Sequence, residues 1–144
     1  MAANKIIFSL DSHFWILGVV TEKPIYVLAS ELNKRLGHSL YWTEEYVIDN
    51  TKERQQYRYN RFIQHDEESE LEILLISNVY QDAFLFKKFK DFTAFLLFRD
   101  ANLFHIEDIK AIKDVVLIKE IKPNEMKGME LIWEISNTIK KIHP

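Results

Sequence analysis

Short runs of β-branched and aromatic residues, set too close together for a helix to fit between them, constrain this chain most. Gln56–His65 and Leu71–Asn78 are parted only by the acidic turn holding Asp66, Glu67, Glu68 and Glu70. Ser39–Ile48 and Gln56–His65 are parted only by the polar stretch from Asp49 to Gln55. Parallel neighbours need a crossover of about a dozen residues or more, so strands this close pair antiparallel. Further strands are expected at Phe14–Glu22, Ala83–Phe86, Phe92–Phe98 and Val115–Ile121. Leu71–Asn78 is almost continuously apolar, which predicts a central strand covered on both faces.

Lys5–Leu10 also has strand character, and Asp11, Ser12 and His13 between it and Phe14–Glu22 predict a hairpin turn. One segment has a different period. Ile25, Leu28, Ala29, Leu32 and Leu36 recur at steps of three and four. Pro24 stands where a missing N–H costs nothing, and Gly37 follows as a stop, so a helix is expected over 24–36. Asn102 is placed to cap a second helix near 105–114, with Ile106, Ile109 and Ile112 inward. The last segment admits two readings. Ile132, Ile135, Ile139 and Ile142 have helical spacing, but Leu131–Ile135 reads better as a closing strand near 130–135. The whole is an α+β domain over residues 1–144, a mainly antiparallel sheet with two helices packed on one face.

Composition removes most chemistry. Three glycines leave no phosphate-cradling loop, and no cysteine means no thiol chemistry. The five histidines, at 13, 38, 65, 105 and 143, are too far apart for any local pair to form a metal site. No cofactor, metal or catalytic residue is therefore expected. The best apolar run, Phe14 to Val20, is too short for a membrane span, and Asp11 breaks any signal-type segment. The absence of cysteine fits a reducing cytoplasm. A net charge of −3 gives no global attraction for nucleic acid or anionic membrane.

Two local clusters stand out. Tyr57, Tyr59 and Arg61 share one face of a strand, and Arg58, Asn60 and Phe62 share the other. Lys87, Lys88 and Lys90 alternate with Phe86, Phe89 and Phe92, which suggests a basic loop held by aromatic anchors. Tyr57, Arg58, Tyr59, Arg61, Lys87, Lys88 and Lys90 are thus the candidate binding residues. Exposed aromatics beside cations are a means of holding single-stranded RNA. Cross-strand pairing and solvated edge lysines account for the same residues without a ligand. His65 before the acidic run, the Asp11-Ser12-His13 turn and the Glu44-Glu45 pair lack the spacing of a catalytic set. Trp15, Trp42 and Trp133 are expected in the core, with an interface as the second reading.

The order of pieces resembles the IPExxxVDY family of small bacterial proteins. The likeness runs through Leu28, Leu32, Asn33, Leu36, Gly37 and Leu40, the Tyr-Arg-Tyr at 57–59, Leu74–Asn78, Phe95–Phe98, the isoleucine helix and the strand at 115–121. Phe86, Lys87 and Lys88 stand where the family has Ile-Pro-Glu, and Phe92, Thr93 and Ala94 where it has Val-Asp-Tyr. The resemblance implies a cytosolic protein of no known activity. With the chemistry above, the expectation is a non-catalytic binding or adaptor protein acting on a protein partner or on itself, with RNA binding as the alternative.

Overall fold

The computed structural model describes residues 14–139. The strands are β1 (Trp15–Thr21), β2 (Tyr41–Asn50), β3 (Gln55–His65), β4 (Leu71–Ser77), β5 (Val79–Tyr80), β6 (Ala83–Phe84), β7 (Ala94–Phe98) and β8 (Val115–Ile121). The helices are α1 (Ile25–Leu36), α2 (Ile106–Lys110) and α3 (Met129–Asn137). Six strands form one sheet in the order β2-β3-β4-β7-β1-β8, with every neighbouring pair antiparallel. β5 and β6 make a separate two-stranded hairpin. The α+β class and the antiparallel sheet stand as the short connections require.

Alternation along the strands divides the apolar residues into two cores. Leu17, Val19, Ile73, Leu75, Leu96 and Phe98 face α1 and α2, meeting Ile25, Leu28, Leu32, Ile109 and Ile112. Ile16, Ile63, Leu74, Ile76, Phe95 and Leu97 face the other way, toward Met129, Ile132 and Trp133 of α3. The two expected helices do share one face. α3 adds a layer on the opposite one.

α1 begins after Pro24 and ends at Gly37, whose φ of 75° lets its N–H return to the Asn33 carbonyl at 3.1 Å. Asn33 then fixes the exit: its amide donates to the Leu40 carbonyl and its oxygen accepts the Leu40 N–H. Asn102 does not cap a helix. Asp100 accepts the Asn102 N–H at the head of a short 3₁₀ turn, and α2 starts later, at Ile106, with no side-chain cap. The expected strand Lys5–Leu10 and its turn lie outside the described residues. β1 has β7 on one side and β8 on the other.

The expected strand near 130–135 is a helix. The buried residues of α3 are Met129, Ile132, Trp133 and Ser136, a set with helical spacing, while Leu131 and Ile135 are exposed. A strand would have turned Leu131, Trp133 and Ile135 inward and Ile132 out. Each apolar side chain buried is worth roughly 1.5–3 kcal/mol. The helix buries three such side chains together and stacks Trp133 on Phe14 with ring centres 5.0 Å apart.

Ser136 is buried because Arg61 reaches it. The Arg61 guanidinium, itself buried, donates from Nη1 to Ser136 Oγ at 3.0 Å and from Nε to the Glu44 carbonyl at 3.0 Å, over the ring of Tyr46. The irregularity between Thr43 and Tyr46 in the β2–β3 register brings that carbonyl within reach. α3 has no basic residue in its own last turn, so Arg61 supplies positive charge near its carbonyl end. Burial holds the Arg61 pKa below that of a free guanidinium, against the pull of Glu44 and Tyr46. Arg61→Ala removes both hydrogen bonds and is expected to cost about 2–4 kcal/mol. Arg61→Met keeps the apolar stem and sheds a desolvated charge, so its loss should be clearly smaller. Urea unfolding of the two variants gives the order.

Candidate binding surfaces

Asn78, fully buried, shapes the loop that carries the lysines. Its amide donates to the carbonyls of Phe89 and Phe92, each at 3.0 Å, and its oxygen accepts the Phe86 N–H at 2.8 Å. Its own backbone bonds Thr93 and Leu85. One residue thus closes the loop from Leu85 to Phe92. Phe86 and Phe89 set their edges against Phe95, with ring centres at 5.8 and 6.4 Å. Anchoring by the phenylalanines leaves Lys87, Lys88 and Lys90 exposed. The loop has the form its composition suggests.

Lys87 and Lys90 border a concavity of about 790 Å³, open between the far end of the β2–β3 hairpin and the β5–β6 hairpin. Tyr57 and Tyr59 of β3 line it with Tyr80 of β5. Tyr80 lies 6.4 Å from the Tyr57 ring and 6.3 Å, edge-on, from that of Tyr59. The Tyr57 hydroxyl donates to Glu53 at 2.7 Å, and that bond, above all, raises its pKa. Tyr59 is 1% exposed, and burial raises its pKa in turn. No described group hydrogen-bonds its hydroxyl, yet no described side-chain N or O is sealed in without a partner. Tyr59 thus lines the concavity with a side chain that is all but buried.

The remaining candidates lie elsewhere. Arg61 is buried under α3, so Tyr59 and Arg61 do not form an open stacking face on β3 as the alternation suggested. Arg58 points to the opposite face, where it meets Glu45 at 3.4 Å and Gln56 at 2.6 Å. Lys88 turns toward Phe89, its ammonium 5.6 Å from the ring centre. Tyr80 was not legible, because a two-residue strand has no period to read.

A second surface lies on the sheet's other face, between α1 and β2. Tyr26, Asn33 and Lys34 border a groove of about 470 Å³ with Trp42 and Phe62. Tyr26 is 63% exposed and Trp42 57%. Trp15 is exposed as well, so of the three tryptophans only Trp133 is a core residue. Trp42 opposes Phe62 across the β2–β3 ladder, and β2 ends the sheet with its outer side unpaired among the described residues.

No family model, curated protein or solved structure matches this chain. Its function is therefore argued from its own geometry. His65 is no carboxylate-oriented base. Its Nε2–H donates to the Ile139 carbonyl at 2.9 Å, which leaves Nδ1 to accept from the Tyr41 hydroxyl at 2.9 Å. The adjacent Asp66 serves the turn instead, accepting the N–H groups of Glu68 and Glu70 and the Arg99 guanidinium. His38 sits on Phe104 with Nε2 near the Leu103 carbonyl, and burial lowers its pKa. His13 and His143 lie outside the described residues. Among the described residues no three His, Asp or Glu side chains are placed to hold one metal ion, and no helix is long and apolar enough to cross a membrane.

Asn78→Ala strands the Phe86 N–H and two carbonyls, and is expected to cost about 2–4 kcal/mol. Amide exchange over 85–92 should accelerate more than in β3. Asp66 is held below the ordinary aspartate range, first by Arg99 and then by the turn N–H groups. Its contribution is present above the unfolded-state pKa and is lost as pH falls through the folded one. Thermal melts of Asp66→Asn should therefore differ from the parent at neutral pH and converge with it in the acid range.

Proposed function

We propose that this chain is a non-catalytic binding protein, a cytoplasmic adaptor that docks an extended segment of a partner protein along β2. The observation that carries this reading is Trp42. Its large indole stands exposed on a strand whose outer edge is unpaired among the described residues, with Tyr26 and Phe62 completing an aromatic groove beside it. An added strand gains main-chain hydrogen bonds from the edge and side-chain specificity from the groove. Aromatic residues held on rigid elements are the usual energetic centre of such contacts.

The charge of β2 selects the partner. The strand carries Glu44, Glu45 and Asp49 and no lysine or arginine, so the segment that suits it alternates apolar and basic residues. The interrupted register at 43–46, with glutamates beside it, guards the edge against a second copy of itself. This supports a hetero-partner over self-association. RNA held on the open face of β3 is not favoured, because Arg61 is buried and Arg58 lies on the opposite face.

Selection from a random peptide library should return sequences with alternating apolar and basic positions. Trp42→Ala is expected to weaken the best of them by about thirtyfold, the 2 kcal/mol of an aromatic hot spot, with its melting temperature little changed. Unaltered affinity of that variant, or selection of acidic peptides, would remove the proposal.

A further inference from the structure

We propose that the concavity between the two hairpins is a binding site for a neutral polyhydroxylated ring, a mono- or disaccharide. This site lies on the face of the sheet away from the Trp42 groove and is independent of the peptide reading. Its volume, about 790 Å³, falls in the range of small-molecule pockets, roughly 300–1,000 Å³.

The lining discriminates among ligands by charge and by hydrogen-bonding character. Lys87 and Lys90 bring two positive charges, and Glu53 and Asp82 bring two negative ones. These cancel, so a phosphate or other anion gains no net attraction there. A purely apolar ligand fares no better, because it would strip water from the charged groups and from Asn50, Gln55 and Gln81 without replacing its bonds. A sugar has hydroxyls that both donate and accept, and so answers ammonium, carboxylate and amide alike. Its C–H face suits aromatic rings, which Tyr57, Tyr80 and Phe84 provide.

Tyr59 gives the second, separate indication. Its side chain is all but buried, it lines the concavity, and its hydroxyl has no hydrogen-bond partner among the described residues. A phenol held this rigidly is a preformed donor or acceptor whose bonding capacity the fold itself does not use. Hydrogen bonds also brace the scaffold around it. Asn78 fixes the lysine loop on one side, and the bond from Tyr57 to Glu53 fixes the hairpin end on the other.

The test is a titration of the isotope-labelled protein, followed by amide chemical shifts, with maltose, cellobiose, lactose and chitobiose, and with adenosine monophosphate alongside. Saturable shifts confined to residues 48–59 and 79–90 are expected with at least one disaccharide at millimolar concentration, unchanged between low and high salt. Tyr80→Ala should weaken that affinity by about tenfold or more. Tyr59→Phe, which keeps the ring and removes only the hydroxyl, should weaken it by about fivefold, the worth of one hydrogen bond. The spectrum of each variant reports its folding directly. Absence of saturable shifts with all four sugars would overturn the proposal. So would salt-sensitive binding of the nucleotide at these residues without sugar binding, or a Tyr59→Phe variant that binds the sugar as the parent does.

Discussion

The structure depends on β4 and β7, a pair of strands whose side chains are buried on both faces. Ile73 and Leu75 point to one core, Leu74 and Ile76 to the other, and Leu96 and Leu97 repeat the division across the ladder. Because the pleat sends neighbours in opposite directions, neither core is complete without the other. A slip of one residue would exchange the two sets wholesale. Apolar runs like these do not themselves define a register, so the polar residues at the margins matter. Thr93 at the start of β7 reaches Val19, and Arg99 at its end reaches the Leu71 carbonyl and Asp66.

Polar groups inside the sandwich act as joints between segments distant in sequence. Arg61 joins β3 to the β2 backbone and to α3, Asn78 closes the loop before β7, and His65 spans Tyr41 and Ile139. Asn137 accepts the Leu71 N–H, so the last turn of α3 is tied to the sheet at two places and Ile139, just beyond it, at a third. Each of these groups is occupied in holding one element against another, and the surfaces left over are those that face solvent as aromatic clefts.

The sequence was most legible where the determinants are local. Pro24, the leucine spacing and Gly37 define α1 within fourteen residues. The strands follow from short apolar runs between turns, and the loop of lysines and phenylalanines from its own alternation. It was least legible where a residue's setting depends on one far away. Ser136 is buried through a partner 75 positions earlier, so a serine completes the inner stripe of α3 where only isoleucines were counted. The same pair explains Arg61, which on its strand looked like a companion to surface tyrosines. Trp15 and Trp42 show the converse. Their size argued for the core, but both stand exposed on their strands.

The place of β1 in the sheet bears on how the chain reaches this state. Its neighbours, β7 and β8, come some seventy to a hundred positions later, so β1 has neither sheet partner until the chain has been made as far as Phe98. Such a topology has high contact order and puts its loop-closure cost before its reward. On the ribosome the β2–β3–β4 meander can form early, whereas Trp15–Thr21 must wait as a bare apolar segment. Nascent-chain protection by a chaperone is thus most needed at the very start of the sheet.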